Sequence, residues 1–244
     1  MTTLIVGASA GVGRALARAL ATREHRLILV ARSRRDLEAE AAHLRLSFGV
    51  AVKWIASDAA SPQDLLQALA ALPNADPPIR NLFFPLGIAR ADDDGLLPPA
   101  DAAALLNVNL ASVMAVVSTY LPAMLTAGPG NIVGFGSIAA IRGRRANVVY
   151  AAAKRGLESY FESLRHRTAE SSIRVQFYRL GYVDTQQNIG KKLLLPKASP
   201  QWIADQVVRN LDRDSGLRHL PRFWGPVGAL LRRLPWTIYR ELDF

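Results

Sequence analysis

Cysteine is absent from this 244-residue chain. Disulfides, thiol nucleophiles and thiolate-bound zinc are therefore excluded, and the composition is compatible with a reducing cytoplasm. Histidine is scarce: His25, His43, His166 and His219 lie far apart without metal-ligand spacing, so no metal is expected. Acidic side chains are outnumbered, 20 against 30 basic ones, for a net charge of +10. That balance suits anionic ligands, nucleic acid or a membrane surface without choosing among them, and no nucleic-acid recognition motif accompanies it. No Lys or Arg precedes Arg14, and the apolar start is too short for a secretory signal. The most apolar region, 105–125, is interrupted by Asn107, Asn109, Ser112, Ser118, Thr119 and Pro122. It reads as a buried helix and not as a membrane span. A cytoplasmic protein is expected.

What is present begins with Leu4-Ile5-Val6, an apolar run fit for a buried strand, followed by Gly7-Ala8-Ser9-Ala10-Gly11-Val12-Gly13. Arg14 to Leu20 then runs at helical period. A strand that turns through glycines into a helix presents bare N–H groups at the positive helix end, which suits a dinucleotide pyrophosphate. The spacing is G-x-x-x-G-x-G, so Gly7, Gly11 and Gly13 with the backbone of Ser9, Ala10 and Val12 are the candidate phosphate contacts.

Beyond this unit, strand and helix patterns alternate. Strands are expected at 26–31, 51–56, 79–86, 131–136, 173–179 and 217–220. Helices are expected at 34–48, 63–72, 100–127, 148–169 and 200–211. Seven strands alternating with helices predict one α/β domain over 1–244, a parallel sheet covered on both faces, with ligands at the carboxyl ends of its strands.

The second strand ends Leu29-Val30-Ala31-Arg32-Ser33, without the acid that would hold an NAD ribose hydroxyl. Arg32 and Ser33, with Arg14 nearby, would instead meet a 2′-phosphate, so NADP(H) is favoured over NAD(H). Asp58, at the end of the third strand, either accepts from an adenine amine or caps the next helix.

Tyr150 and Lys154 are four apart inside a helix, hence on one face. A phenol has a pKa near 10, and an adjacent ammonium lowers it toward a useful acid or base. Ser137, at the end of the fifth strand, can hold a carbonyl beside that phenol.

At these residues the chain resembles the classical short-chain dehydrogenase/reductase family, from Thr3 to about Ala204. The resemblance rests on Gly7-x-x-x-Gly11-x-Gly13, Asn109, Ser137, Tyr150-x-x-x-Lys154, and Gly181 with Thr185. It implies a Rossmann-type doubly wound sheet and an NADP-dependent oxidoreductase that moves hydride between nicotinamide and a carbonyl or secondary alcohol. It implies Tyr150 as general acid or base and Ser137 as the group polarising the carbonyl. Lys154 would lower the Tyr150 pKa and hold the nicotinamide ribose. Asn109, not its neighbour Asn107, would organise a water. Gly87, Gly181, Val183 and Thr185 would complete the cofactor pocket. Two departures stand out. Phe84-Pro85-Leu86-Gly87 replaces Asn-Asn-Ala-Gly, putting support of the pocket in question. Leu180-Gly181 replaces Pro-Gly, which should loosen the loop over the nicotinamide. An NADP-binding regulator with little catalysis is the alternative.

Arg142, Arg144 and Arg145 precede Tyr150, while Lys191, Lys192 and Lys197 fall in the expected substrate lid, 182–199. They are either ordinary surface charges or the walls of a site for an anionic substrate such as a phosphate. Residues 142–150 and 230–240 are also similar to decaprenylphosphoryl 2-keto-ribose reductases, which implies a keto-sugar or lipid-linked sugar phosphate. The stretch 216–244, read as a tail helix, combines Arg218, Arg222, Arg232, Arg233 and Arg240 with Trp224, Leu230, Leu231, Leu234 and Trp236. It suits a homo-oligomer interface (dimer or tetramer) in preference to peripheral contact with the inner membrane surface.

Overall fold

A computed structural model describes residues 1–70, 72, 77–185 and 195–242. Their strands form one seven-stranded sheet in the order β3-β2-β1-β4-β5-β6-β7, parallel at every pairing. The strands are β1 (Thr2–Val6), β2 (Arg26–Ala31), β3 (Val52–Ala56), β4 (Ile79–Phe84), β5 (Gly130–Ser137), β6 (Ile173–Leu180) and β7 (Gly216–Leu220). This is the doubly wound Rossmann-type arrangement.

Successive strand residues point to opposite faces, and the core divides accordingly. Ile5, Leu29, Phe83, Val133 and Tyr178 bury against α1 (Gly11–Ala21), α2 (Arg34–Phe48) and α7 (Pro200–Arg209). Leu4, Ile28, Leu82, Ile132 and Phe177 bury against α3 (Pro62–Leu69), α5 (Ser112–Ala127) and α6 (Val148–Arg167). Both faces being covered explains why the strands read as continuous apolar runs.

The long helix is not uniform. α4 (Pro99–Leu106) passes through a π-helical turn, Asn107–Ala111, before α5 begins. Val108, Val113, Val116, Val117, Tyr120 and Met124 from this run are buried in the core. The span has the length and hydropathy of a membrane helix, but one face is taken up by the sheet.

One element differs from expectation. The stretch 216–244 is not one tail helix, and the strand expected at 217–220 is present within it. Its first five residues are β7, paired with β6 from Gln176↔Gly216 to Leu180↔Leu220. Two short helices follow, α8 (Trp224–Arg233) and α9 (Trp236–Tyr239). Pro235 separates them because it lacks an N–H and holds Leu234 in an extended conformation.

Candidate active site

The glycine turn leaves β1 at the carboxyl edge of the sheet. Gly7 has φ 102°, and a Cβ there would lie 2.8 Å from the backbone of Leu86. At Gly13 a Cβ would stand 1.9 Å from the Gly7 carbonyl oxygen, so nothing larger than hydrogen lets α1 start here. The residue before α1, Ala10, has no side-chain cap to offer, and the first turn carries no acid. The helix therefore opens with N–H donors aimed at the turn and no protein carboxylate to neutralise them, which fits a bound pyrophosphate. Val12 is buried in the core, which leaves only its backbone for a ligand. Thr185 stands close by, its Cγ2 3.2 Å from where a Gly11 Cβ would be.

Around the tip of β2 the charges are distributed unevenly. Arg14, expected at the 2′-phosphate, is occupied elsewhere: its guanidinium donates to the Ser9 carbonyl and lies 3.6 Å from Glu40. Arg18 forks onto the same buried carboxylate at 2.7 and 2.8 Å. Ser33 caps α2, accepting from the Asp36 N–H at 3.2 Å. Arg34 lies over the Trp54 ring at 5.1 Å. Arg32 is exposed at the strand tip. Asp58 does not cap α3; its carboxylate accepts from the Ala60 N–H at 2.9 Å, and the cap of α3 is Ser61, which accepts from Asp64.

Ser137 ends β5, and Tyr150 and Lys154 stand one turn apart on α6. The phenol of Tyr150 and the hydroxyl of Ser137 interact. Ser137 Oγ also accepts from the Ala139 N–H at 3.1 Å. Burial pushes the Tyr150 phenol above its ordinary pKa, with the Ser137 hydroxyl and the charge of Arg144 opposing the shift. Lys154 is not among the groups that move this pKa. Lys154 Nζ instead donates to the carbonyls of Leu86, at 3.2 Å, and Phe135, at 3.1 Å. Burial brings its own pKa down to about 8.

Asn109 lies on the π turn, buried. Its Nδ2 donates to the Ile88 carbonyl at 2.8 Å and to the Leu105 carbonyl at 3.0 Å. Its Oδ1 is buried without a partner among the described residues. A Cβ on Gly87 would come within 2.9 Å of that oxygen and 3.1 Å of Lys154 Nζ, so the glycine keeps open the space beside both groups. Asn107 is turned away, donating to the Ala60 carbonyl at 2.8 Å.

The two departures are resolved by packing. β4 ends at Phe84, so Pro85 costs the sheet no hydrogen bond, and the Leu86 carbonyl is held by Lys154. Gly181 does not loosen its loop. Its N–H donates to the Leu220 carbonyl at 2.9 Å, and a Cβ would fall 1.8 Å from Trp224 Nε1. Val183 is buried and bridges to Ala198. Lys197 lies 3.9 Å from Asp184, while Lys191 and Lys192 fall outside the described residues.

Sequence reasoning missed Asp93. It sits in a run of three aspartates between the expected strand 79–86 and helix 100–127, yet it is 1% exposed. Its carboxylate accepts from the Val149 N–H at 3.0 Å and from the Tyr150 N–H at 2.9 Å. Asn147, the residue before α6, is left-handed and caps nothing, so Asp93 caps the helix from a distant loop and fixes the backbone that carries the phenol. Sequence also could not rank the three arginines. Arg142 donates to the carbonyls of Leu231 and Leu234, at 2.8 and 2.6 Å, and lies 3.9 Å from the centre of the Tyr239 ring. Arg145 donates to the Arg240 carbonyl at 2.9 Å. The loop before α6 is thereby tied to α8 and α9.

Comparison with known proteins accords with this geometry. A family model described as short chain dehydrogenase matches residues 1–192. An uncharacterized oxidoreductase of Mycobacterium tuberculosis is 30% identical over 246 residues, covering 98% of this chain and 96% of that protein. A ketoacyl reductase of Nostoc is 28% identical, covering 85% of this chain and 74% of its own length. Among solved structures, a short-chain dehydrogenase from Sphingobium yanoikuyae in complex with NADPH superimposes with a TM-score of 0.83 at 26% identity, over 97% of both chains.

Proposed function

The chain belongs to the short chain dehydrogenase family, and on that premise we propose that it is an NADP(H)-dependent carbonyl reductase or alcohol dehydrogenase whose proton donor is Tyr150. As a member it is an NAD(P)-dependent oxidoreductase acting on CH–OH groups of small molecules. The observation that carries the residue assignment is the meeting of Tyr150 and Ser137 at the carboxyl edge of the sheet, with Lys154 one helical turn along α6.

NADPH, held by the glycine turn, by Arg32 at its 2′-phosphate and by Lys154, Val183 and Thr185 nearer the nicotinamide, supplies the hydride. The chain does the rest. Ser137 donates to the substrate carbonyl oxygen and draws charge onto it. Tyr150, whose raised pKa keeps it protonated near neutrality, gives its proton to the oxygen as the alcohol forms. Lys154, with a pKa of about 8, exchanges protons readily at physiological pH and sits beside Asn109. The unpartnered Asn109 Oδ1 accepts from a water that carries the proton onward.

The finer reading is a keto-sugar substrate, free or as a lipid-linked phosphate. Its support is spatial: the two stretches that carry that likeness, 142–150 and 230–240, are bonded to each other through Arg142 and Arg145. The same segment exposes Leu230, Trp236 and Ile238 beside Arg232, Arg233 and Arg240, a surface suited to a second copy of the chain in a homo-oligomer.

The test is NADPH oxidation with a panel of keto-sugars and ketones. The wild type turns over at least one class, and Tyr150→Phe binds NADPH equally while turning over about 10²- to 10⁴-fold more slowly. Tight NADPH binding with no turnover across the panel would leave the non-catalytic regulator as the better reading.

A further inference from the structure

Three arginines line the loop between Ser137 and Tyr150, and two of them are committed. Arg142 and Arg145 are hydrogen-bonded to carbonyls of the C-terminal helices. Arg144 is not: among the described residues it has no ion pair, and its Nε is shut off from solvent with no hydrogen-bond acceptor. A guanidinium donor desolvated without an acceptor is a cost that folds tolerate where a ligand later meets it.

The surroundings of Arg144 point to such a ligand. It lines a small open cleft, with a cavity of about 40 Å³, between the 138–144 loop, Tyr182 and the C-terminal helices. Ile138, Ile141, Trp224 and Tyr239 make the other walls mostly apolar. The cleft starts one residue after Ser137. The Arg144 charge bears on the phenols of both Tyr150 and Tyr239. Arg142 lines the same cleft but is bonded to the Leu231 and Leu234 carbonyls, so Arg144 is the guanidinium left to meet a charged group on a substrate with an apolar body.

We infer that Arg144 anchors an anionic oxygen group, a phosphate or a carboxylate, on the substrate whose carbonyl meets Ser137 and Tyr150. The inference rests on the reading of the cleft as a carbonyl-reductase site and adds the charge of what enters it. Arg142 and Arg145 are positioning residues here: they hold the helices that form the far wall.

The experiment is calorimetric titration of the NADP⁺-saturated protein with matched sugars. Ribulose 5-phosphate is set against ribulose, and 2-ketogluconate against fructose. At least one anion should bind tenfold or more tightly than its neutral counterpart, since a guanidinium–oxyanion pair is a charge-assisted fork. Arg144→Leu should abolish that preference with the affinity for NADP⁺ unchanged, and Arg144→Lys should restore part of it. A preference for one anion alone identifies the group. Equal binding of both members in both pairs, binding of neither, or a preference that survives Arg144→Leu would overturn the inference. Failure to bind NADP⁺ itself would count against the reductase reading instead, so the two failures are told apart.

Discussion

The two walls of the cleft are made in opposite ways. The cofactor wall is backbone: seven consecutive residues, Gly7 to Gly13, with Gly87 and Gly181 placed where a methyl group would not fit. The substrate wall is side chain to backbone, with Arg142 reaching Leu231 and Leu234, and Arg145 reaching Arg240, across about ninety positions of sequence. A cradle of N–H groups tolerates no substitution at its glycines and little else matters about it. A wall tied by arginine forks can keep its geometry while its lining changes. The first arrangement fits a nicotinamide dinucleotide, whose pyrophosphate is the same in NAD and NADP, the second a substrate that varies.

The contrast is sharpened or broken by four measurements. Gly13→Ala places a Cβ against the Gly7 carbonyl, and we expect NADPH affinity to fall by about 100-fold or more, with overpacking in the core costing about 1–3 kcal/mol. Unchanged NADPH binding would mean that the turn is not the cradle. Asp93→Ala leaves two N–H groups of α6 without their acceptor and lets Tyr150 drift. The expected loss is about tenfold in kcat with little change in NADPH affinity, and Asp93→Asn should recover part of it. A purely structural cap would lower the melting temperature and spare kcat. Arg142→Ala frees two carbonyls of α8 and its end. Hydrogen exchange over 224–242 should accelerate by about tenfold, as expected for a charged hydrogen bond worth about 1.5–3 kcal/mol, with the 7–13 turn unaffected.

The smallest effect is in pH. Burial holds Lys154 at about 8 in the fold, against 10.5 for the free group. Between those values the unfolded chain binds more protons than the folded one, so stability of the ligand-free protein rises with pH across that window. Thermal melts of wild type and Lys154→Met from pH 7 to 10.5 should diverge in that sense. Parallel curves would place Lys154 in a more solvated setting than its two carbonyl partners indicate.

The same contrast explains what the sequence revealed. Strands and helices fell within about two residues of their observed limits because parallel strands buried on both faces are short, pure apolar runs. The glycine turn and the Tyr150–Lys154 spacing were legible because each is local, one turn or one helical repeat long. Asp93 was hidden by Asp92 and Asp94, since only tertiary packing distinguishes the buried member of three. Arg144 could not be separated from Arg142 and Arg145 for the same reason. Arg14 was misread because Glu40, the carboxylate that engages it, is 26 positions away on another helix. The strand at 217–220 was legible as an apolar run, but the break of the tail into β7 and two short helices was not, since it depends on pairing with β6 about forty residues upstream and on Pro235.

The most direct test of the cofactor wall is equilibrium titration of the purified protein with NADPH and with NADH, followed by nicotinamide fluorescence, on wild type and Arg32→Ala. The account predicts saturable binding of both, tighter for NADPH by about tenfold or more, with that margin lost in Arg32→Ala. Equal or tighter binding of NADH by the wild type, or no binding of either, would contradict it.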